Sequence, residues 1–135
     1  MALIAWGPAL SVGVKEIDEQ HKKLVDMVNQ LNDAMTQGQG RQALGKVLND
    51  LISYTQFHFR AEEKLMETNG YANTVAHKAE HHKLVQDVGA FKSKFDSGSA
   101  SISIELMTFL RNWLSNHILN SDKKVGQSLN QKGVK

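Results

Sequence analysis

From residue 18 onward, apolar side chains recur in alternating steps of three and four. The inward stripe of residues 18–37 reads His21, Leu24, Val28, Leu31, Met35. That of 41–67 reads Leu44, Leu48, Leu51, Thr55, His58, Glu62, Leu65, and that of 73–96 reads His77, His81, Leu84, Val88, Phe91, Phe95. In 101–128 it reads Leu106, Leu110, Trp113, His117. Such steps mark the buried face of an amphipathic helix. Breaks fall at "TQGQGR" (36–41), "ETNGYANT" (67–74) and "DSGSAS" (96–101), where glycine, serine and asparagine cluster. Asp18 and Ser101 are the expected N-caps of the first and fourth helices. Residues 1–17 hold Gly7, Gly13 and Pro8, the only proline, and are expected to form a non-helical arm. The predicted fold is all-α: one domain over 1–135, an up-down-up-down antiparallel four-helix bundle with short loops.

The stripes are not purely apolar. Five histidines and a glutamate sit at inward positions. An unpartnered buried polar group costs about 1–3 kcal/mol, and a domain's whole stability is about 5–15 kcal/mol, so something must bind them. Their depth points the same way. His21 lies about 17–19 residues before the first break, and His58 about 18–20 after it. Glu62 and His77 flank Gly70 by 8 and 7 residues; His81 and His117 flank Gly98 by 17 and 19. In antiparallel neighbours each pair falls at one level, so these groups form one layer near one end of the bundle.

Composition adds exclusions. With 41% hydrophobic and 22% charged residues the chain is ordinary for a globular protein. A net charge of +2 without a basic stripe argues against nucleic acid. The absence of cysteine removes disulfides, thiolate zinc sites and cysteine-bound iron–sulfur clusters. "MALIAWGPAL" lacks a basic n-region, and no apolar run approaches the ~20 residues of a membrane span. The expectation is a cytoplasmic protein with no stable membrane insertion.

His58-x3-Glu62 and His77-x3-His81 each place two donors on one helix face, one turn apart. With His21 and His117 in the same layer they indicate a metal site of imidazole and carboxylate, which suits Zn, Cu, Fe or Ni. Five histidines exceed what one ion usually takes, so two ions fit better. "VGVKEIDEQHKKL" (12–24), "HFRAEE" (58–63), "HKAEH" (77–81) and "WLSNHILNSD" (113–122) together resemble the hemerythrin family, in particular its single-domain bacterial members.

The resemblance implies a non-haem centre of two iron ions per chain with an oxo or hydroxo bridge. His77, His81 and His117 would hold one iron, His21 and His58 the other, with Glu62 and Asp122 bridging. That donor count leaves one position open on the two-histidine iron, where the family binds O2 end-on as a hydroperoxide. The implied function is reversible O2 binding, for carriage, storage or local supply, rather than catalysis. Di-iron oxygenase and ferritin-like sites use more carboxylates, whereas this layer is mostly neutral imidazole. Leu24, Phe59, Trp113 and Leu114 would line the O2 pocket. The implied partners are O2 and an O2-consuming enzyme to receive it; the chain is expected to be a monomer. The alternatives are a di-iron enzyme (peroxidase or nitric-oxide handling) and an oxygen- or iron-sensing module.

Asp122 is the awkward residue. Five steps of a straight α-helix leave it roughly 140° from His117, yet the family's ligand count needs it. A π-type turn around 118–122 would bring it back to the seam. His82 follows His81 and points about 100° off the seam; it is expected on the surface. Glu63 and Glu80 are out of register and expected to be solvated, as are Lys22, Lys23, Lys78 and Lys83. The methionines are expected as core filler and Trp6 as packing from the arm. Val125 stands where the family often has tyrosine.

Overall fold

The computed structural model describes residues 3–38, 40–98 and 104–135. Helix α1 spans Lys15–Thr36, α2 Arg41–Thr68, α3 Thr74–Asp96, α4 Ile104–Asn116 and α5 Lys123–Gln131. A π-helical segment, His117–Asp122, joins α4 to α5, and helical backbone angles on either side keep the three as one rod. Among the described residues there is no strand, and the four rods form a four-helix bundle.

Side-chain pairs establish that neighbours run antiparallel. Gln20 meets His58, while Lys23 lies over the Tyr54 ring. His77 meets Glu62, while His81 meets Glu63 and stacks on Phe59. His81 meets His117, while His77 meets Asp122. His21 meets Asp122, while Gly13 meets Asn130. The inward stripes close into one core that includes Leu31, Leu48, Met66, Met107, Ile118 and Leu129, each almost fully buried. Met66 and Met107 fill the core as expected, and Met27 and Met35 pack against it half-buried. No helix among the described residues is long and apolar enough to cross a membrane.

The N-terminal arm differs from expectation. It contains one 3-10 turn, Pro8–Leu10, and ends earlier, because α1 begins at Lys15 rather than at 18. Asp18 is therefore not an N-cap. Its carboxylate reaches back from the first turn to accept the Val12 N–H at 2.8 Å and the Ser11 hydroxyl at 2.6 Å, fastening the arm to the helix. Further out, Asn29 exchanges two hydrogen bonds of 2.9 Å with the backbone of Ile4. Ile4, Leu10, Val12 and Val14 are buried, and Trp6 packs half-buried on the bundle beneath Lys22. The arm presses on the fourth rod so closely that a Cβ at Gly126 would sit 2.0 Å from the Val12 carbonyl oxygen. Only glycine fits there. Ser101, the other expected N-cap, lies outside the described residues.

Candidate metal centre

α1 presents His21, α2 presents His58 and Glu62, α3 presents His77 and His81, and the π segment presents His117 and Asp122. All seven side chains are buried, none more than 5% exposed. The π segment is what admits the last one. By widening the turn between His117 and Asp122 it returns the aspartate to the seam, 3.0 Å from His117. Asp122 is 1% exposed, where a regular helix would have turned it outward.

The seven groups divide into two sets that share both carboxylates. One is Glu62, His77, His81, His117 and Asp122; the other is His21, His58, Glu62 and Asp122, with donor atoms in each within 4.8 Å of one another. The division runs atom by atom. Glu62 Oε1 lies 2.6 Å from His77 Nε2 and 3.4 Å from His81 Nε2, and Asp122 Oδ1 lies 3.0 Å from Nε2 of both His77 and His117. The other oxygens face the other way. Glu62 Oε2 is 3.3 Å from His58 Nε2 and 3.7 Å from His21 Nε2, and Asp122 Oδ2 is 3.1 Å from His21 Nε2. Each carboxylate thus turns one oxygen to each set.

The outward ring nitrogens have partners that sequence reasoning missed. His81 Nδ1 lies 2.9 Å from Glu63 and His117 Nδ1 lies 3.1 Å from Glu80; carboxylates only accept, so both nitrogens donate. His58 Nδ1 lies 2.6 Å from Gln20 Oε1. Glu63 and Glu80 are therefore not simply solvated. Each stands beside a residue of the layer in sequence, which leaves its side chain at the edge of the seam, within reach of the next helix. That adjacency is the signal that could have found them. Burial works to raise the Glu80 pKa, but Ser121 and His117 outweigh it and hold it low. His82 is exposed, as expected. Of the four lysines, Lys78 pairs with Glu67, and Lys22 and Lys23 lie over Trp6 and Tyr54, so they cover aromatic surface rather than only facing water.

The layer's own groups fit a cation. Nε2 of His81 and Nε2 of His117 face each other at 3.1 Å, both turned into the layer. His21 Nδ1 and Nε2, Glu62 Oε2 and both Asp122 oxygens have no partner in hydrogen-bonding geometry, although short N···O approaches surround them. Buried carboxylates facing imidazole nitrogens they do not properly bond are donors aimed at a common point. Without a cation, protons substitute. Burial lowers the His21 and His77 pKa values, but Asp122 and Glu62 outweigh it and raise them to about 9 and about 10. Burial keeps His58 low. Glu62 is held well below its ordinary value and Asp122 at about 2: burial opposes both shifts, and contacts with the surrounding histidines win.

An apolar cavity lies beside the layer. It holds about 40 Å³ and is lined by apolar side chains with Thr55 as the only hydroxyl. Leu24, Phe59, Trp113 and Leu114 are all in its wall. They stand within a turn of His21, His58 and His117, so the space lies against the layer on the side of the bundle's middle. On the opposite side Ile17, Met66, Ile118 and Val125 are packed solid. Val125 is fully buried.

Residues 12–129 match the model of the hemerythrin HHE cation binding domain. The chain belongs to the hemerythrin family. It is 43% identical to the bacteriohemerythrin of Methylococcus capsulatus over 96% of this chain and 98% of that one. It is 40% identical to the bacteriohemerythrin of Stenotrophomonas maltophilia, over 97% of this chain and 87% of the relative. A wild-type hemerythrin crystal structure superposes with a TM-score of 0.91 at 43% identity, covering 95% of this chain and 98% of that one. The buried cluster, whose groups could hold metal ions, thus lies within a hemerythrin-type cation binding domain.

Proposed function

We propose that the protein binds O2 reversibly at a non-haem centre of two iron ions, as a carrier, store or local supplier. The observation that carries this reading is the sharing of Glu62 and Asp122 between two histidine sets, one oxygen of each carboxylate toward each set. His77, His81 and His117 would hold one iron, His21 and His58 the other, with Glu62 and Asp122 bridging. An iron pair held there would supply the electrons for reversible O2 binding.

The chain's own residues supply the rest. Three histidines on one side and two on the other would leave the His21–His58 half one donor short, and a small ligand would bind on that half. Leu24, Phe59, Trp113 and Leu114 give the ligand an apolar approach and keep out water and its protons, whose entry favours irreversible oxidation. Phe59 and Trp113 also hold rings in place. Phe59 stacks on His81 at 3.7 Å between centroids and Trp113 on His117 at 4.5 Å. Mostly neutral donors, with only two carboxylates, suit carriage better than the carboxylate-rich sets of oxygen-activating di-iron proteins.

The test is optical. The iron-loaded, reduced protein should gain a ligand-to-iron charge-transfer band in air, lose it under argon and regain it over several cycles. Prompt, permanent bleaching, with turnover of added hydrogen peroxide, would replace carriage with an enzymatic reading.

A further inference from the structure

The two halves of the centre differ beyond their histidine count, in what stands behind the rings. Behind the three-histidine half are two carboxylates, Glu63 on His81 Nδ1 and Glu80 on His117 Nδ1. Behind the two-histidine half is one neutral amide, Gln20 on His58 Nδ1, while His21 Nδ1 has no partner. We propose that Glu63 and Glu80 are positioning residues that make the three-histidine half the more strongly donating, and that Gln20 leaves the half with the open position the weaker. The proposal rests on the di-iron reading above.

An imidazole N–H that donates to a carboxylate shares its proton with a negative oxygen, so the opposite ring nitrogen gains electron density and holds a cation more firmly. An amide acceptor draws the proton less. The partners are fixed in place rather than swinging in solvent. Glu80 is half exposed, yet the Ser121 hydroxyl donates to it at 2.8 and 3.1 Å to its two oxygens. Ser121 and His117 both belong to the π segment, so Glu80 also pins the turn that delivers Asp122. Glu63 is largely covered, and its ring partner His81 is held flat against Phe59 at an interplanar angle of 2°. The consequence is a division of labour. The three-histidine half retains its ion and favours the higher charge state, and the two-histidine half keeps a position from which a ligand leaves easily.

The metal-stripped full chain should take up two Co(II) ions in two steps. Glu63→Gln and Glu80→Gln, which keep size and an acceptor oxygen, should each weaken the tighter step about tenfold or more and leave the weaker one in place. Gln20→Glu should strengthen the weaker step. In the iron-loaded protein the two glutamine variants should raise the reduction potential; a tenfold loss of preference for Fe(III) over Fe(II) corresponds to ~59 mV for one electron. Glu67→Gln, at an exposed carboxylate paired with Lys78, is the control and should change neither. Unaltered step affinities and potential in both Glu63→Gln and Glu80→Gln, as a purely structural role predicts, overturn the proposal. Uptake of fewer than two cobalt ions by the parent chain overturns the di-iron reading along with it.

Discussion

Two adjacent slices of the bundle are built from the same four rods and the same inward stripe, yet stand in opposite states. In the slice through Leu51, Leu84 and Leu110 the inward groups are apolar and need nothing but each other; a small apolar cavity remains among them. One to two turns away, in the slice through His21, His58, Glu62, His77, His81, His117 and Asp122, the inward groups are polar, buried and incompletely bonded. Burial stabilises the first slice and destabilises the second until a cation arrives. The difference shows how a hydrophobic bundle can build a metal site: the apolar slices hold the rods in register, and their stability lets one layer stay unsatisfied.

The largest expected effect follows from emptying the polar slice. Stripping metal with a chelator should lower stability by about 4 kcal/mol or more, the amount linked to a ligand present at ~1,000 times its dissociation constant. Thermal melts with and without metal measure it, and coincident melts would erase the contrast between the slices. Damage to the apolar slice should act independently of metal. Leu51→Ala removes a buried side chain from the cavity wall and should cost about 2–5 kcal/mol in denaturant unfolding, with metal content unchanged.

A pH series sharpens the comparison. In the metal-free protein His21 and His77 have folded pKa values of about 9 and about 10, above the 6.5 of the free side chain. Their stabilising protons are fully in place below about pH 6.5 and are lost as pH rises through 9 to 10. The metal-free form should therefore weaken across that window. Ions compete with the same protons, so loading at pH 7 should release protons and tighten as pH rises. A pH-stat titration with Zn(II) reads this directly, and loading without proton release would contradict the assignment of both histidines. The smallest effect belongs to His82, beside the polar slice but outside it. His82→Ala should leave iron content and spectrum unchanged and shift stability within about 0.5 kcal/mol.

Much of this was legible in residue spacing because burial imposes a period. The 3–4 stripe marked the rods, and histidines at inward positions and matching depth marked the layer. Asp122 was legible only through a conflict, a needed carboxylate in the wrong phase, which the π segment resolves. Where register carried no signal, the reading failed. Glu63 and Glu80 are out of phase with their own helices, and it is the neighbouring helix that gives them partners. Asp18 has the chemistry of an N-cap but spends it on the arm, since Val12 and Ser11 offer donors that a sequence pattern does not reveal. The close approach of Val12 to Gly126 is likewise a long-range contact with no local mark.

The central claim is that one aspartate, turned inward by the π segment, joins Glu62 in serving two iron ions. A crystal structure of the iron-loaded protein, with anomalous scattering recorded at the iron edge, tests it most directly. The account predicts two iron peaks, one against His77, His81 and His117 and one against His21 and His58, with an oxygen of Glu62 and of Asp122 on each. A single peak, or an Asp122 side chain turned to solvent on a regular helix, would contradict it.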